Sequence, residues 1–581
     1  MSFLGVENSL TGRRWLGLGI DLERGAEHMA QQTGLPGPLC QVLARRGVPA
    51  HEAQGFLTPH LKDLLPDPRR MKDMELAAER FLRAVEKRQR IAIFADYDVD
   101  GGSSAALLLV WLRAMGLQAT LYIPDRIDEG YGPNDEAMAG LAQAHDLIVC
   151  VDCGTLSHGP IAAAKGADVI VLDHHLGGET LPDCVAVVNP NRQDEDGELG
   201  YFCAAGVVFL MLVEVRRQAR EKGIGTGPDL MGLLDLVALA TVADVAPLVG
   251  ANRALVRQGL KVLGARQRPG LVALADVSRM DAAPSTYHLG FLLGPRVNAG
   301  GRIGKADLGA RLLATENPHE AAALAERLDQ LNTERRDIEN AVRAAAMEQA
   351  EARGFDAPLV WAAGEGWHPG VVGIVASRLK EAAGRPAVVI GLHNGEGKGS
   401  GRSVSGIDLG VAIQRTAAEG LLIKGGGHKM AAGLTVAEDK LEAAMERLGD
   451  LLAKQGAGSL GPADLKLDGM LMPGAANIDL IEQIEQAGPF GAGAAAPRYG
   501  FPDLAIRFAK RIGETHLKLS LTDGVGGNLD AICFGAFDTA LGPRLLEHGG
   551  ARFHFAGRLE INSWGGRQSP QLRLEDAAEA S

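Results

Sequence analysis

The sequence predicts an α/β protein: a mostly parallel sheet domain, a long connecting helix, a smaller α/β domain and a C-terminal β-barrel. Three observations predict this. β-rich runs alternate with helical segments from about residue 76 onward. Residues 318–352 carry good helix formers at helical spacing with no Pro or Gly inside. After the stretch KQGAGSLGP, near 455–463, the pattern turns to strand-like segments.

A chain of 581 residues is longer than one core supports, so about three or four domains are expected. The divisions read as a helical segment over 1–75, a first α/β domain over 76–317, the connecting helix over 318–352, a second α/β domain over 353–455, and the barrel over 456–581. Pro and Gly punctuate residues 1–75, whose role the sequence does not disclose. The first domain reads as a helix near 76–88, a strand at 90–95, a helix at 102–116, and strands at 118–123, 147–151, 168–172 and 185–188. The second has strands near 358–363 and 386–392 with a helix near 370–383. Strand-like segments near 465–471, 515–522, 528–534 and 552–562 make the last domain a barrel resembling an OB-fold.

Composition narrows the function classes. Hydrophobic residues at 46% and charged residues at 23% suit a globular protein with several cores. No apolar run approaches the roughly 18 residues that cross a bilayer, and the N-terminus lacks the features of a signal peptide. A cytoplasmic address and no membrane partner are therefore expected. Six scattered cysteines fit a reducing compartment without disulfides. Cys150 and Cys153 form a CxxC on an apolar run, and packing explains them without metal or redox work. A net charge of −13 means that any nucleic acid must be held in a local basic groove.

The residues that carry chemistry sit at strand ends. In IAIFADYDVDGGSS a β-rich run ends in Asp96, Asp98 and Asp100, and a helix then opens. Three carboxylates this close repel one another unless a cation neutralises them, and hard divalent ions such as Mg2+ or Mn2+ suit oxygen ligands. A solvated acidic turn is the plain alternative. Repetition decides between them: LIVCVDCGT ends in Asp152, and DVIVLDHHL ends in Asp173, His174 and His175. Strand C-termini of an open α/β sheet converge on a ligand crevice. Asp244 adds an acid to the apolar segment LLDLVALATVADVAPL, where an unpaired charge is costly. Carboxylates and imidazoles together can hold two divalent cations about 4 Å apart, which suits phosphodiester or pyrophosphate hydrolysis.

The motifs DYDVDG, VDCG, DHH and TVADV, in this order, resemble the DHH phosphoesterase superfamily. Downstream, GPRVNAGGRIG (294–304), GWHPGVVGIVASRL (366–379), GSGRS (399–403) and GGGHKMAAG (425–433) extend the resemblance, the last two looking like its substrate-binding DHHA1 domain. With GPFGAG (488–493) before the OB-like end, roughly residues 75–570 are similar to the single-strand-specific DNA exonucleases of that superfamily.

The resemblance implies hydrolysis in the 5′→3′ direction, a role in DNA repair and recombination, and partners such as a helicase and a single-strand-binding protein. It makes Asp98 and Asp152 ligands of one cation, and Asp100, Asp152, His174 and Asp244 ligands of the other. Asp96 becomes a ligand or a supporting acid, and His175 a contact of the scissile phosphate. Several relatives carry a metal-binding His two positions before the first acid; here Phe94 stands there, implying a weaker or water-completed first site. Recognition of a 5′-phosphate falls to Arg126, Ser400 and Arg402. Arg296 and Asn298 are implied contacts of the phosphate nearest the metals, and His428 another active-site contact. Tyr131 is read as stacking a base or obstructing a second strand, with a core tyrosine as the alternative. Lys510, Arg511, Lys518, Arg552 and Trp564 offer a single-strand track on the barrel. The rival functions are a DHH-type pyrophosphatase or short-oligonucleotide and cyclic-dinucleotide phosphodiesterase, and a non-catalytic scaffold. The terminal domain argues against the first, and the complete set of acids and histidines against the second.

Overall fold

The computed structural model describes residues 2–126, 129–458, 464–564 and 566–580, the side chain of Trp564 excepted. Its contacts divide the chain into two compact units. One holds Pro66–Pro247 and Leu255–Leu460; the other holds Met1–Leu65, Leu248–Ala254 and Gly461–Ser581.

The larger unit is built on a five-stranded sheet. Helix α1 (Met74–Glu86) leads into β1 (Ile91–Ala95), α2 (Val99–Ala114), β2 (Ala119–Tyr122), β3 (Leu147–Val151), β4 (Asp168–Leu172) and β5 (Ala186–Val188). The sheet order is β2-β1-β3-β4-β5, and every pairing is parallel. A parallel sheet is covered on both faces, so its strands read as unbroken apolar runs rather than alternating ones. IAIFA and LIVCV are buried at every position. Phe94, two positions before Asp96, is fully buried and stacks on Tyr122 at 5.3 Å. Its ring fills a core with Ala92, Cys150 and Val171. Cys150 and Cys153 are likewise buried in that core. All six cysteines are free.

Helices α3 (Ala204–Glu221), α4 (Leu234–Ala243) and α5 (Gly294–Ile303) precede the long helix α6 (Pro318–Arg353), whose first turn is capped by Asn317. Leu324, Leu328 and Leu331 bury one stripe of α6, while Val342, Ala346 and Ala350 enter the core of the second sheet domain. That domain contains β6 (Val360–Glu365), α7 (Pro369–Ala383), β7 (Ala387–His393), β8 (Glu396–Arg402), β9 (Lys424–Gly427) and β10 (Ala431–Ala437), in sheet order β9-β10-β8-β7-β6.

In the other unit β11 (Tyr499–Ile512), β12 (His516–Thr522), β13 (Asn528–Cys533), β14 (Arg552–Trp564) and β15 (Arg567–Glu579) form a closed barrel. The β11–β14 pairing closes it. Residues 2–65 are part of this unit: Met29, Leu39, Leu43 and Leu57 share one core with Tyr499, Phe501, Phe553 and Phe555. Trp15, fully buried, donates its indole N–H to Asp576 at 2.9 Å. Among the described residues no helix is long and apolar enough to cross a membrane.

Candidate metal centre and phosphate pocket

Strand register places the acids. Ala95 pairs with Val151 and Val151 with Leu172, so the next residues, Asp96, Asp152 and Asp173, line up along the carboxyl edge of the sheet. Asp98 caps α2, its Oδ1 accepting from the Asp100 and Gly101 amides at 2.8 and 3.1 Å. A Cβ at Gly101 would overlap the Asp96 carbonyl, so only glycine lets the helix start this close to the strand end. Asp100 is held by the amides of Ala204 and Ala205 at the start of α3, at 2.7 and 2.8 Å, where a helix N-terminus favours an anion.

His174 reaches across the cluster. Its Nε2 lies 3.2 Å from Asp152 Oδ1 and 3.6 Å from Asp100 Oδ2, and its Nδ1 lies 3.9 Å from Asp244 Oδ2. His175 Nδ1 sits 2.8 Å from Asp173 Oδ1. Thr155 donates to Asp173 at 2.6 Å, and Asn189 donates to Thr155 and to the His175 carbonyl. Three overlapping sets have ligand atoms within 4.8 Å of one another: Asp96, Asp98 and Asp152; Asp100, His174 and Asp244; Asp152, His174 and His175.

Electrostatics describe a site short of positive charge. Burial and then the neighbouring Asp100, Asp98, Asp96 and Asp244 push the Asp152 carboxyl well above the carboxylate range. Burial and then Asp98 do the same to Asp96. Burial, followed by Asp100 and Asp98, pushes Asp244 up to about 8. His175, also raised, differs in cause: burial would lower it, yet the Asp173 hydrogen bond and charge raise it to about 9 in the metal-free fold. Buried Oδ1 atoms of Asp96 and Asp152 have no hydrogen-bond partner, and the 3.2 Å approach of His174 to Asp152 lacks hydrogen-bond geometry. Orphaned carboxylate oxygens in a crowd of acids cost free energy unless cations complete them. The donor set fits hard divalent cations.

A second cluster is cationic. Arg402 donates to Ser400 Oγ at 2.9 Å, and the Arg126 guanidinium lies 5.1 Å above the Tyr97 ring. Arg302, from the end of GPRVNAGGR, donates to the Gly370 carbonyl at the start of α7 at 3.0 Å. Burial and then Arg126 lower the basicity of both Arg402 and Arg302, the latter to about 10. Guanidinium groups crowded enough to depress one another make a site for an anion.

Other expected residues lie as follows. Tyr131 donates from its hydroxyl to the Asp152 carbonyl at 3.0 Å, with its ring exposed, so it is not a core tyrosine. Asn298 Oδ1 accepts from the Val99 amide at 3.1 Å and so supports the metal-side loop. Arg296 departs from its expected place: it is buried, paired with Asp329 of α6 at 2.8 Å and bonded to the Leu292 carbonyl. Arg302, the second arginine of the same motif, instead donates to the Gly370 carbonyl, and its charge interacts with Arg126, Arg335 and Asp98. Both arginines are visible in the sequence as one motif, but which of them pairs with Asp329 depends on packing. His428 is exposed in the β9–β10 turn, whose far side begins with Ala431 paired to Arg402.

On the barrel Lys510 and Lys518 are cross-strand partners on its outer face. Lys518 pairs with Ile532 and Ile532 with Arg573, whose guanidinium lies 5.1 Å from the exposed Phe534 ring. Arg511 instead folds onto the Glu514 carbonyl, and Arg552 pairs with Asp503 at 2.6 Å. The side chain of Trp564 lies outside the described residues.

Comparison with known proteins agrees with this architecture. The DHH family N-terminal domain matches residues 90–241, the DHHA1 domain 356–454 and the RecJ OB domain 467–576. The single-stranded-DNA-specific exonuclease RecJ of Salmonella typhimurium is 37% identical over 565 residues, covering 93% of this chain and 96% of the relative. The protein of the same name from Bacillus subtilis is 33% identical, covering 95% of this chain and 69% of its own. The crystal structure of Thermus thermophilus RecJ with Mn2+ superposes with a TM-score of 0.80 at 30% identity, covering 98% of this chain and 80% of that one. A Mg2+ complex of the same protein gives 0.73. A DHH domain, a DHHA1 domain and a RecJ OB domain in this order, with identity sustained along nearly the whole of a relative, make this chain a member of the RecJ family.

Proposed function

We propose that this chain hydrolyses the phosphodiester bonds of single-stranded DNA from the 5′ end with two divalent cations, Mn2+ or Mg2+, and acts in DNA repair and recombination. The observation that carries the reading is the meeting of Asp96, Asp98, Asp100, Asp152, His174 and Asp244, with orphaned buried oxygens, in a chain of the RecJ family. Asp98 and Asp152 would hold one cation, and Asp100, Asp152, His174 and Asp244 the other. When bound, the cations supply Lewis-acid chemistry, lowering the pKa of water and neutralising charge on a phosphoryl group.

The protein's own groups do the rest. The α3 amides and the start of α2 fix Asp100 and Asp98 before any ligand arrives, so little reorganisation remains at the moment of reaction. His175, its ring fixed by the contact between Nδ1 and Asp173, would stand beside Asp152 as a contact of a bound phosphate. Ser400, Arg402 and Arg126 form the terminal-phosphate pocket, with the charge of Arg302 adding to that of Arg126. Lys510, Lys518 and Arg573 give the barrel a basic row for a strand's backbone. An enzyme restricted to single strands needs a source of them, which supports a helicase and a single-strand-binding protein as partners. Six free cysteines suit work in the cytoplasm.

The test is digestion of single strands labelled at either end, with Mg2+ or Mn2+, beside pyrophosphate and a dinucleotide. Mononucleotide release from the 5′ end supports the reading. Turnover confined to pyrophosphate or the dinucleotide overturns it in favour of a small-substrate hydrolase.

A further inference from the structure

Aromatic residues make up 4% of this chain, and it exposes few of them. Among the described residues the exposed aromatics are Tyr131, Tyr287, Phe291, Phe508 and Phe534. Tyr131 belongs to the metal centre, and Phe508 and Phe534 lie on the barrel. Tyr287 and Phe291, 58% and 68% exposed, have no role in anything described above.

These two rings stack on each other, with centroids 5.4 Å apart and planes inclined by 26°. Phe291 lies on a π-helical turn, His288–Leu293, that runs directly into α5, and Tyr287 is the residue just before the turn. The turn buries Leu289 and Leu293 inward and leaves Phe291 outward. π-Turns inside helices are uncommon and concentrate at functional sites. This one is seated on the end of α4: ideal Cβ atoms at Gly290 and Gly294 would come within 3.4 Å of Val242 and 3.2 Å of Ala243, the residues just before Asp244. Val245, which follows Asp244, is itself exposed and held at φ 61°, a strained conformation for a β-branched residue. The same helix continues to Asn298 and Arg302.

Two adjacent exposed rings, on and beside a turn packed against the end of α4 next to Asp244, offer flat faces on which unpaired bases can stack. A protein that needed them only for packing would bury them, since removing an aromatic ring from water is favourable. We propose that Tyr287 and Phe291 form a base-stacking platform that holds the single strand of DNA beside the metal centre. The proposal rests on the single-strand exonuclease reading and names a positioning site for that same substrate.

The test uses the full chain without divalent metal and 5′-phosphorylated oligothymidylates carrying 2-aminopurine at successive positions. In the wild type, fluorescence should be quenched by stacking at one or two adjacent positions. Tyr287→Ala/Phe291→Ala should abolish that local quenching and weaken binding about tenfold or more, as expected for a lost stacking contact. Tyr287→Phe/Phe291→Trp should restore both, and melting curves should show all variants folded because the rings are exposed. Unchanged affinity and quenching in the folded double alanine variant overturn the platform. Weakening that the aromatic replacements do not rescue overturns it as well. Failure of the wild type to digest the same strands once metal is added would instead overturn the underlying exonuclease reading.

Discussion

Asp152 is 2% exposed, stands at φ 61° and crowds four other acids, a combination few carboxylates sustain without a function. Asp152→Asn keeps the shape and tolerates the left-handed backbone while removing the charge two cations would share. Hydrolysis at saturating metal should fall at least about tenfold, equivalent to about 1.4 kcal/mol of activation barrier. The metal-free protein should melt no lower than wild type, because a repelling charge has gone. A variant keeping more than about a tenth of the rate would remove Asp152 from the metal centre. Arg402 poses a different question, since burial and then its neighbour Arg126 depress its basicity, and a bound anion would offset both. Arg402→Ala should lower kcat/KM about tenfold more on 5′-phosphorylated than on 5′-hydroxyl strands. Equal losses on both would assign the arginine to the scissile phosphate or to the fold. At this scale the acids are legible in the sequence because each follows an apolar strand. The place of Arg296 is not, because it requires knowing which side of α5 faces Asp329.

Elements show the same division. The buried strands β1, β3 and β4 are readable as unbroken apolar runs, and α6 as a run free of breakers. Helix α2 starts at Val99 rather than near 102, because Asp98 caps it through a side chain that propensity does not register. The largest departure is β11, a 14-residue strand containing Gly500, Pro502 and Asp503. A register shift between Phe501 and Leu504 absorbs those residues, and a bulge of this kind looks like a loop in sequence. β15 is hidden similarly by Pro570 and polar residues, and pairing with β14 imposes it. Near 465–471 only two-residue strands form, Leu465–Lys466 and Gly469–Met470. Since Lys510 and Lys518 face each other across β11 and β12, Lys510→Ala/Lys518→Ala should flatten the salt dependence of single-strand binding. Losing two phosphate contacts corresponds to a slope smaller by about 1.4 in log K against log salt. An unchanged slope would take the nucleic acid off this face.

For the whole molecule, the N-terminal residues matter in a way their composition conceals. Leu39, Leu43 and Leu57 are buried in the barrel's own core, so deleting residues from about 456 onward would strip a hydrophobic face as well as a binding domain. Point substitutions on the barrel surface are therefore the cleaner probe of DNA holding. The metal centre also sets how the molecule responds to pH. Asp96, Asp100, Asp152 and Asp244 all have carboxyls raised by burial in the metal-free fold. A raised acid contributes its stability fully below the ordinary carboxylate pKa and loses it as pH climbs through the folded value, about 8 for Asp244. The metal-free protein should thus melt at lower temperature as pH rises from about 5 to about 8. Mn2+, which binds the ionised acids, should raise the melting temperature more at the upper end of that range than at the lower. A metal-induced shift that does not depend on pH would show that these acids do not receive the cation.

The chemistry class is legible in the chain: apolar strands ending in Asp96, Asp152 and Asp173, with the two histidines after them, specify an acidic edge because parallel strands deliver their C-termini to one side of a sheet. The order of domains is legible too, through the breaker-free helix α6. Only the folded chain shows that Arg296 pairs with Asp329, which lysines share a barrel face, that residues 2–65 complete the barrel's core, and that Tyr287 and Phe291 stack in the open. Local patterns record what a residue's neighbours in the chain require of it. Helix rotation, strand bulges and shared cores are settled by contacts between residues tens to hundreds of positions apart.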